Sequence, residues 1–261
     1  MNRSRIVLWV ACAVIGLWLI APTLVVIPLS FNEQRSLAFP PQGFSLRWYE
    51  NFFSDSQWFG GLLNSLQIAV LVAVLATVLG TLAAYGLSKV PGFREAFGRN
   101  ILVSPMIIPS VVFGVGLYAV FLNLGLVGTL PGFLIAHTVL SVPYVVVTVG
   151  STLASFDTQL EQAAWVCGAS RARAFVTVTV PALLPGILSG AFFAFITSFD
   201  EVIVSMFISS PYLQTLPVRM FAGMQREVDP TIAAAATLIM ITTTAAAIGG
   251  ILSQQLRRRR R

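Results

Sequence analysis

The charged residues of this chain stand so far apart that the stretches between them decide its fold class. Ile6 to Leu29 is 24 residues without a charge; at helical rise that is about 36 Å, enough for a hydrocarbon core of about 30 Å. Between Asp55 and Lys89 lie 33 uncharged positions, with the apolar density in Leu62 to Leu87. Between Arg99 and Asp157 lie 57, too many for one crossing, and the turn-rich stretch Asn123 to Gly132 divides them. Arg173 to Asp200 and Asp229 to Arg257 bracket two more runs. The reading is six helical spans, near 6–29, 62–87, 101–122, 132–152, 183–207 and 231–252, in a single transmembrane domain over 1–261. A transmembrane β-barrel needs alternating segments of about ten residues, and these runs are continuous and more than twice that length. The chain is therefore predicted to be an all-α polytopic membrane protein.

Composition removes the other classes. Only 10% of the 261 residues are charged and 56% are hydrophobic, with mean hydropathy +0.84. A soluble domain carries about a quarter charged residues, and disorder requires low hydrophobicity.

Lysine and arginine set the expected orientation. Six spans put both termini on one side. That side carries 12 basic residues (Arg3, Arg5, Lys89, Arg94, Arg99, Arg171, Arg173 and the run Arg257–Arg261) against 4 on the other (Arg35, Arg47, Arg219, Arg226). Both termini are thus expected in the cytoplasm. The net charge of +6 is then the sum of a strongly basic inner face and an outer face with a small acidic excess. Beside a hydrophobic helix, the five-arginine tail reads as an anchor to anionic lipid, and no nucleic-acid partner is expected. The first span exceeds the 7–15 apolar residues of a signal peptide and contains Pro22 and Pro28, so it reads as an uncleaved anchor. Cys12 falls in that span and Cys167 in a cytoplasmic loop, which places them too far apart for a structural disulfide.

Enzymatic chemistry has no visible carrier. There is no His-Glu-x-x-His, Gly-x-Ser-x-Gly, Cys-x-x-Cys or phosphate-binding glycine loop ending in Lys-Ser/Thr. The single histidine, His137, lies in the fourth span, where an interhelical hydrogen bond is the simpler role than proton handling. No catalytic residue, metal or cofactor is assigned, and any ATP hydrolysis must come from another subunit.

The connection 155–182 is long and patterned. Asp157 is placed to cap a short helix in which Leu160, Ala163, Ala164 and Cys167 recur at helical spacing. Gly168 is placed to end it, Ser170 to cap a second, and Pro181 to begin the approach to the fifth span. Two short amphipathic helices joined at a glycine suit docking in a partner's groove, with Trp165 as anchor and Arg171 and Arg173 on the rim.

This segment resembles the cytoplasmic loop signature of ABC-importer permeases: Glu-Ala-Ala, three residues, Gly, nine residues, Ile-x-Leu-Pro. Gln162-Ala163-Ala164 is followed after three residues by Gly168, and nine more lead to Val178-Thr179-Val180-Pro181. Gln162 stands where the family has glutamate, with Glu161 one place earlier, and valine replaces both isoleucine and leucine. The resemblance implies a type I ABC-importer permease fold and a coupling helix seated in a separate ATP-binding subunit, formed by Glu161, Gln162, Ala163, Ala164, Trp165, Gly168, Ala169, Ser170, Arg171 and Pro181. A narrower resemblance, from about Leu24 to Leu252, is to permeases of the spermidine/putrescine importer group. It rests on Gly43-Phe-Ser-Leu-Arg-Trp-Tyr49, on Ser198-Phe-Asp-Glu-Val-Ile-Val-Ser-Met-Phe207, on Ser210-Pro and on Leu216-Pro-Val-Arg219. It implies a polyamine importer subunit in the bacterial inner membrane. The expected partners are a dimer of ATP-binding subunits, a second permease (a sister protein in a heterodimer, or a second copy of this chain), and a periplasmic or extracellular solute-binding protein.

Charge inside a membrane costs at least about 2.5–3.5 kcal/mol at mid-helix, which makes it a functional lead. Asp200 and Glu201, flanked by Ser198 and Phe199, are the candidate cation path, since polyamine amines need carboxylates and aromatic faces. The alternative is that the pair fixes helix packing. Ser104, Ser110 and Tyr118 in the third span complete the candidate path, because Pro105, Pro109 and, in the fourth span, Pro143 free backbone carbonyls near mid-membrane. Gly186-x-x-x-Gly190 suits close helix approach. A secondary carrier would call for an internal repeat or buried proton relays, and neither is visible.

Overall fold

In the computed structural model, residues 3–90, 92–226 and 229–259 are described. Glu227, Arg260 and Arg261, which entered the charge count, lie outside them. Among the described residues every regular element is helical, and the only β-type pairing is the isolated bridge between Ser210 and Leu213. In chain order the α-helices are α1 (Arg3–Leu29), α2 (Arg47–Ser54), α3 (Ser56–Ser88), α4 (Phe93–Val103), α5 (Ser110–Leu124), α6 (Leu130–Ala154), α7 (Gln159–Val166), α8 (Arg171–Ala174), α9 (Val180–Phe199), α10 (Ile203–Ile208), α11 (Leu216–Arg226) and α12 (Thr231–Arg259).

Among the described residues, four helical stretches are long and apolar enough to cross a membrane: α1, α3, α6, and the run Arg171–Phe199. A fifth crossing is available if α4 and α5 count as one broken span. The sequence reading made 101–122 a single span. Instead the chain turns by 94° between the two helices. Ser104–Met106 form a 3-10 turn with Pro105 in its first turn, and Pro109 precedes α5 with φ −55°. Pro109 lacks an N–H and biases Ile108 away from the helical region, so the helix stops there.

The fifth predicted span, 183–207, also differs. Its helix begins earlier, and a π-helical segment, Phe175–Thr179, joins α8 to α9. It ends at Phe199, and α10 is a separate short helix. α3 begins at Ser56, six residues before the predicted Leu62, because Asp55 Oδ1 accepts from Gln57 N at 2.7 Å and caps its first turn. Thr129 caps α6 in the same way, accepting from Gly132 N at 3.2 Å.

The described residues form two compact units. One consists of the chain up to Phe59 with the part from Met220 onward. Within it α2 packs on α12, and Asn51 Nδ2 donates to Thr231 Oγ1 at 2.9 Å. The Gly43–Tyr49 motif folds the preceding loop onto itself. Trp48 Nε1 donates to the Asn32 carbonyl at 2.6 Å, Tyr49 Oη lies 2.6 Å from Ser30 Oγ, and the Arg47 guanidinium sits 4.1 Å from the Trp48 ring centroid. Apolar side chains along α1 are largely uncovered, Trp18 at 79%.

The second unit, Gly60–Arg219, holds two cores. Ile68 and Val72 of α3 meet Phe121 of α5, Phe133 and Ala136 of α6, and Val204 and Ile208 of α10. Further along, Ala76 and Ala84 of α3 meet Val145 and Val149 of α6 and Leu183 and Ala194 of α9. The α6–α9 pair is in closest approach where Gly186 and Gly190 face Thr152, Thr148 and Val145. Small residues let the backbones approach, which supplies the packing that apolar surface alone cannot in lipid.

Candidate functional site

The segment 155–182 is built from its caps outward. Asp157 Oδ1 accepts from Gln159 N at 2.9 Å and starts α7. Gly168, at φ +88°, ends it: Gly168 N donates to the Trp165 carbonyl at 2.9 Å and Ala169 N to the Ala164 carbonyl at 3.0 Å. That paired arrangement is a Schellman closure, which needs a residue free to adopt the left-handed conformation. Ser170 Oγ then accepts from Arg173 N at 3.3 Å and caps α8. Pro181 follows the π-helical segment at the start of α9, inside the continuous helical run Arg171–Phe199.

α7 buries its acid and leaves apolar side chains exposed. Its one fully buried side chain is the acid, Glu161, at 1% exposed. The apolar side chains face out: Val166 is 89% exposed, Leu160 50% and Trp165 39%. Gln162 and Ala163 are exposed beside them, while Ala164 and Ala169 are half-buried. Arg171 lies 5.8 Å from the Trp165 ring centroid, so a cation borders the aromatic surface.

Glu161 is held on both oxygens. Lys89 Nζ, just past the end of α3, sits 2.6 Å from Oε2, and Thr179 Oγ1 in the π-helical segment donates to Oε1. Lys89 Nζ is also 4.7 Å from the centroid of the Tyr85 ring, and that ring packs on Phe175 at 4.6 Å. The sequence reading placed Glu161 with the residues facing a partner subunit; in the fold its side chain turns inward. It also passed over Lys89, Thr179, Tyr85 and Phe175. A visible clue was that Glu161 is the only acid within the short helix 159–166, while Lys89 is the first charge after a 33-residue apolar run.

Burial works to raise the Glu161 pKa, but hydrogen bonds from Lys89, Thr179 and Tyr85 outweigh it and hold the carboxyl below the ordinary carboxylate range. Partial burial works against the Lys89 ammonium, yet Glu161 beside it raises its pKa above the ordinary lysine value. The Glu161 contribution to stability is therefore fully present above about pH 4.3 and lost as pH falls through the lower folded value. The Lys89 contribution is present below about pH 10.4 and lost above it, as pH rises through the raised folded value. Solubilised permease should hold its melting temperature between those limits and lose it on the acid side, and Glu161→Gln should remove the part of the acid limb that this pair supplies. Thermal unfolding monitored against pH checks this.

The second candidate group divides. Ser198, at 3% exposed, is not open to a path: its Oγ lies 2.9 Å from His137 Nδ1, and Ser205 Oγ lies 2.9 Å from His137 Nε2. His137, fully buried, thus ties α6 to α9 and α10 across the break between the latter two. Phe199 stacks on Phe195 at 5.8 Å between centroids. Asp200 is exposed. Glu201 is half-buried and its Oε1 accepts from Val204 N at 2.8 Å, so it caps α10. Ser104 Oγ donates to the Ile101 carbonyl at 2.8 Å, Ser110 is half-buried, and Tyr118 is 39% exposed. Among the described residues no hydrogen bond joins these three to Asp200 or Glu201. No group of three or more His, Cys, Asp or Glu side chains among the described residues is arranged to hold a metal ion.

The all-helical fold and the 155–182 spacing are those expected of an ABC-importer permease. The fold agrees: it matches a chain of a bacterial ABC transporter involved in the import of the acidic polysaccharide alginate, with TM-score 0.72 at 16% identity, over 97% of this chain and 98% of that one. The chain belongs to the family described as binding-protein-dependent transport system inner membrane component, whose model matches residues 76–261. It is 32% identical over 221 residues to the spermidine/putrescine transport system permease protein PotC of Haemophilus influenzae, covering 85% of this chain and 86% of that one. It is 33% identical over 224 residues to the putrescine transport system permease protein PotI of Escherichia coli K12, covering 83% and 79%. The chain is thus an inner-membrane permease subunit of an ABC importer.

Proposed function

We propose that this permease passes a polyamine such as putrescine or spermidine, and that α7 is the helix gripped by a dimer of separate ATP-binding subunits. The observation that carries the coupling reading is that α7 buries its acid and leaves Leu160, Trp165 and Val166 exposed, since apolar side chains left open on a short helix need a partner groove. The names of the PotC and PotI relatives support the solute class. Six crossings with both termini in the cytoplasm fit the apolar helices together with the 29-residue α12 and the distribution of arginine and lysine. A second permease would complete the pathway, and a solute-binding protein would deliver the cation to the outer face.

Within this reading Asp200 is the residue open to a passing cation, while Glu201 holds the start of α10 and sets where Asp200 stands. The complex reconstituted with its binding protein should show ATPase activity stimulated by putrescine or spermidine. Asp200→Asn should reduce uptake on the order of tenfold, the equivalent of about 1.4 kcal/mol, with assembly intact. Stimulation by neither polyamine overturns the solute assignment, and wild-type uptake kinetics in the Asp200→Asn complex removes that residue from the path.

A further inference from the structure

Three elements converge on one ion pair. Lys89 follows the end of α3, Glu161 is the buried side of α7, and Thr179 closes the π-helical segment at the root of α9. Phe175, in the same segment, packs on Tyr85 one turn before Lys89. α7 also meets α8 and the π-helical segment, but its ion pair to Lys89 is its polar link to α3, so a force applied at Trp165 or Val166 reaches α3 through Glu161 and reaches α9 through Glu161 together with α8. The two oxygens of that carboxylate are divided between the two helices: Oε2 takes Lys89 and Oε1 takes Thr179.

A π-helical segment at this root matters for the same reason. Its hydrogen bonds run from residue i+5 to i instead of i+4 to i, which leaves the local ladder less regular, and it is a common place for a helix to yield. Glu161 is therefore attached to α9 at the point where α9 is easiest to bend, and to α3 at its terminus.

We propose that Glu161, held between Lys89 and Thr179, is the joint that turns displacement of α7 into movement of α3 and α9, and that its role is transmission rather than contact with the ATP-binding subunit. The inference rests on α7 being the coupling helix. It assigns Glu161 and Lys89 as positioning residues, with Gln162, Trp165 and Val166 left to face the partner. Breaking the joint should leave the partner seated and uncouple it: ATP would still be hydrolysed, with little solute moved.

The test uses the complete importer in proteoliposomes, with its binding protein and radiolabelled putrescine or spermidine as the probe. Solute transported per ATP hydrolysed is measured beside co-purification of the ATP-binding subunit. Lys89→Met and Glu161→Gln should retain that subunit and hydrolyse ATP, with the transport ratio down about tenfold, and Lys89→Arg should restore most of it. Lys89, at 38% exposed, is the safer site if the Glu161 variant does not accumulate. A ratio unchanged in both variants overturns the inference. So does a proportional fall in transport and hydrolysis, which marks only fewer folded complexes. Failure of the underlying reading looks different: deletion of 160–172 would then leave the ATP-binding subunit bound.

Discussion

Gly186→Leu is expected to leave little folded permease in the membrane. A Cβ at Gly186 would stand 2.2 Å from Thr152 Oγ1 and 3.0 Å from the Thr148 carbonyl oxygen. The threonine hydroxyl can rotate away, but the carbonyl belongs to the backbone of α6 and cannot. Gly190, one turn further on, would place a Cβ 3.1 Å from Val145 Cα, so the interface has no slack on either side. Forcing α6 and α9 apart also opens the core formed by Val145, Val149, Leu183 and Ala194. Overpacking with loss of such contacts costs about 3 kcal/mol or more. Gly150, also on α6, has nothing within 4 Å of an added Cβ, and Gly150→Ala should be neutral or slightly stabilising. Detergent-extracted yield and thermal inactivation of the two variants give the comparison; equal stability would show that the α6–α9 contact does not hold the bundle.

Gly168→Pro should produce the opposite pattern, a permease that folds and inserts but does not retain its ATP-binding subunit. The native φ is +88° and proline is fixed near −65°, while the lost N–H is the one that donates to the Trp165 carbonyl. The Schellman closure then fails, and the last turn of α7, which carries Trp165 and Val166, is no longer held in place. Losing an aromatic anchor of this kind costs about 2–4 kcal/mol, or roughly 30- to 1000-fold in affinity. Gly168→Ala keeps the N–H and pays about 1 kcal/mol for the left-handed conformation, so its affinity should drop only several-fold. Pull-down of the ATP-binding subunit, graded against the two variants, is the measurement. Full retention with proline would mean that the closure of α7 does not matter for docking.

Much of this molecule is legible residue by residue. Long uncharged runs require helices in lipid, because only helices and closed barrels satisfy backbone polar groups there. Asp157, Gly168, Ser170 and Pro181 mark the boundaries of α7, α8 and α9 because capping and φ preference are local properties of residue types. The spacing from Gln162 to Pro181 was readable for the same reason. The two broken spans were less so. Pro105 and Pro109 announced a disturbance near 104–110, but its size, 94°, follows from how α4 and α5 pack on their neighbours. Asp200 and Glu201 looked like a charged pair within the outer half of the fifth span; the chain ends α9 there, and one of the two acids caps α10.

The residues that carried the narrower resemblance have in several cases a structural role. Ser198 and Ser205 hold His137, Trp48 and Tyr49 close the loop before α2, and Leu216 N donates to Ser65 Oγ at 2.8 Å. Sequence alone cannot separate such pins from solute contacts, because both require polar groups at fixed places in an apolar chain.

By itself the sequence determined the class, the helical content and the bounds of the short helices in 155–182, all of which depend on local preference and on apolar length. Only the tertiary structure decided which way each side chain faces. Glu161 and Trp165 stand four residues apart on the same side of α7, and nothing in its order says that the acid is the one fully buried while the tryptophan stays 39% exposed. That choice is made by Lys89, 72 positions earlier, and Thr179, 18 positions later: a carboxylate can be buried only where opposite charge and a donor already wait for it.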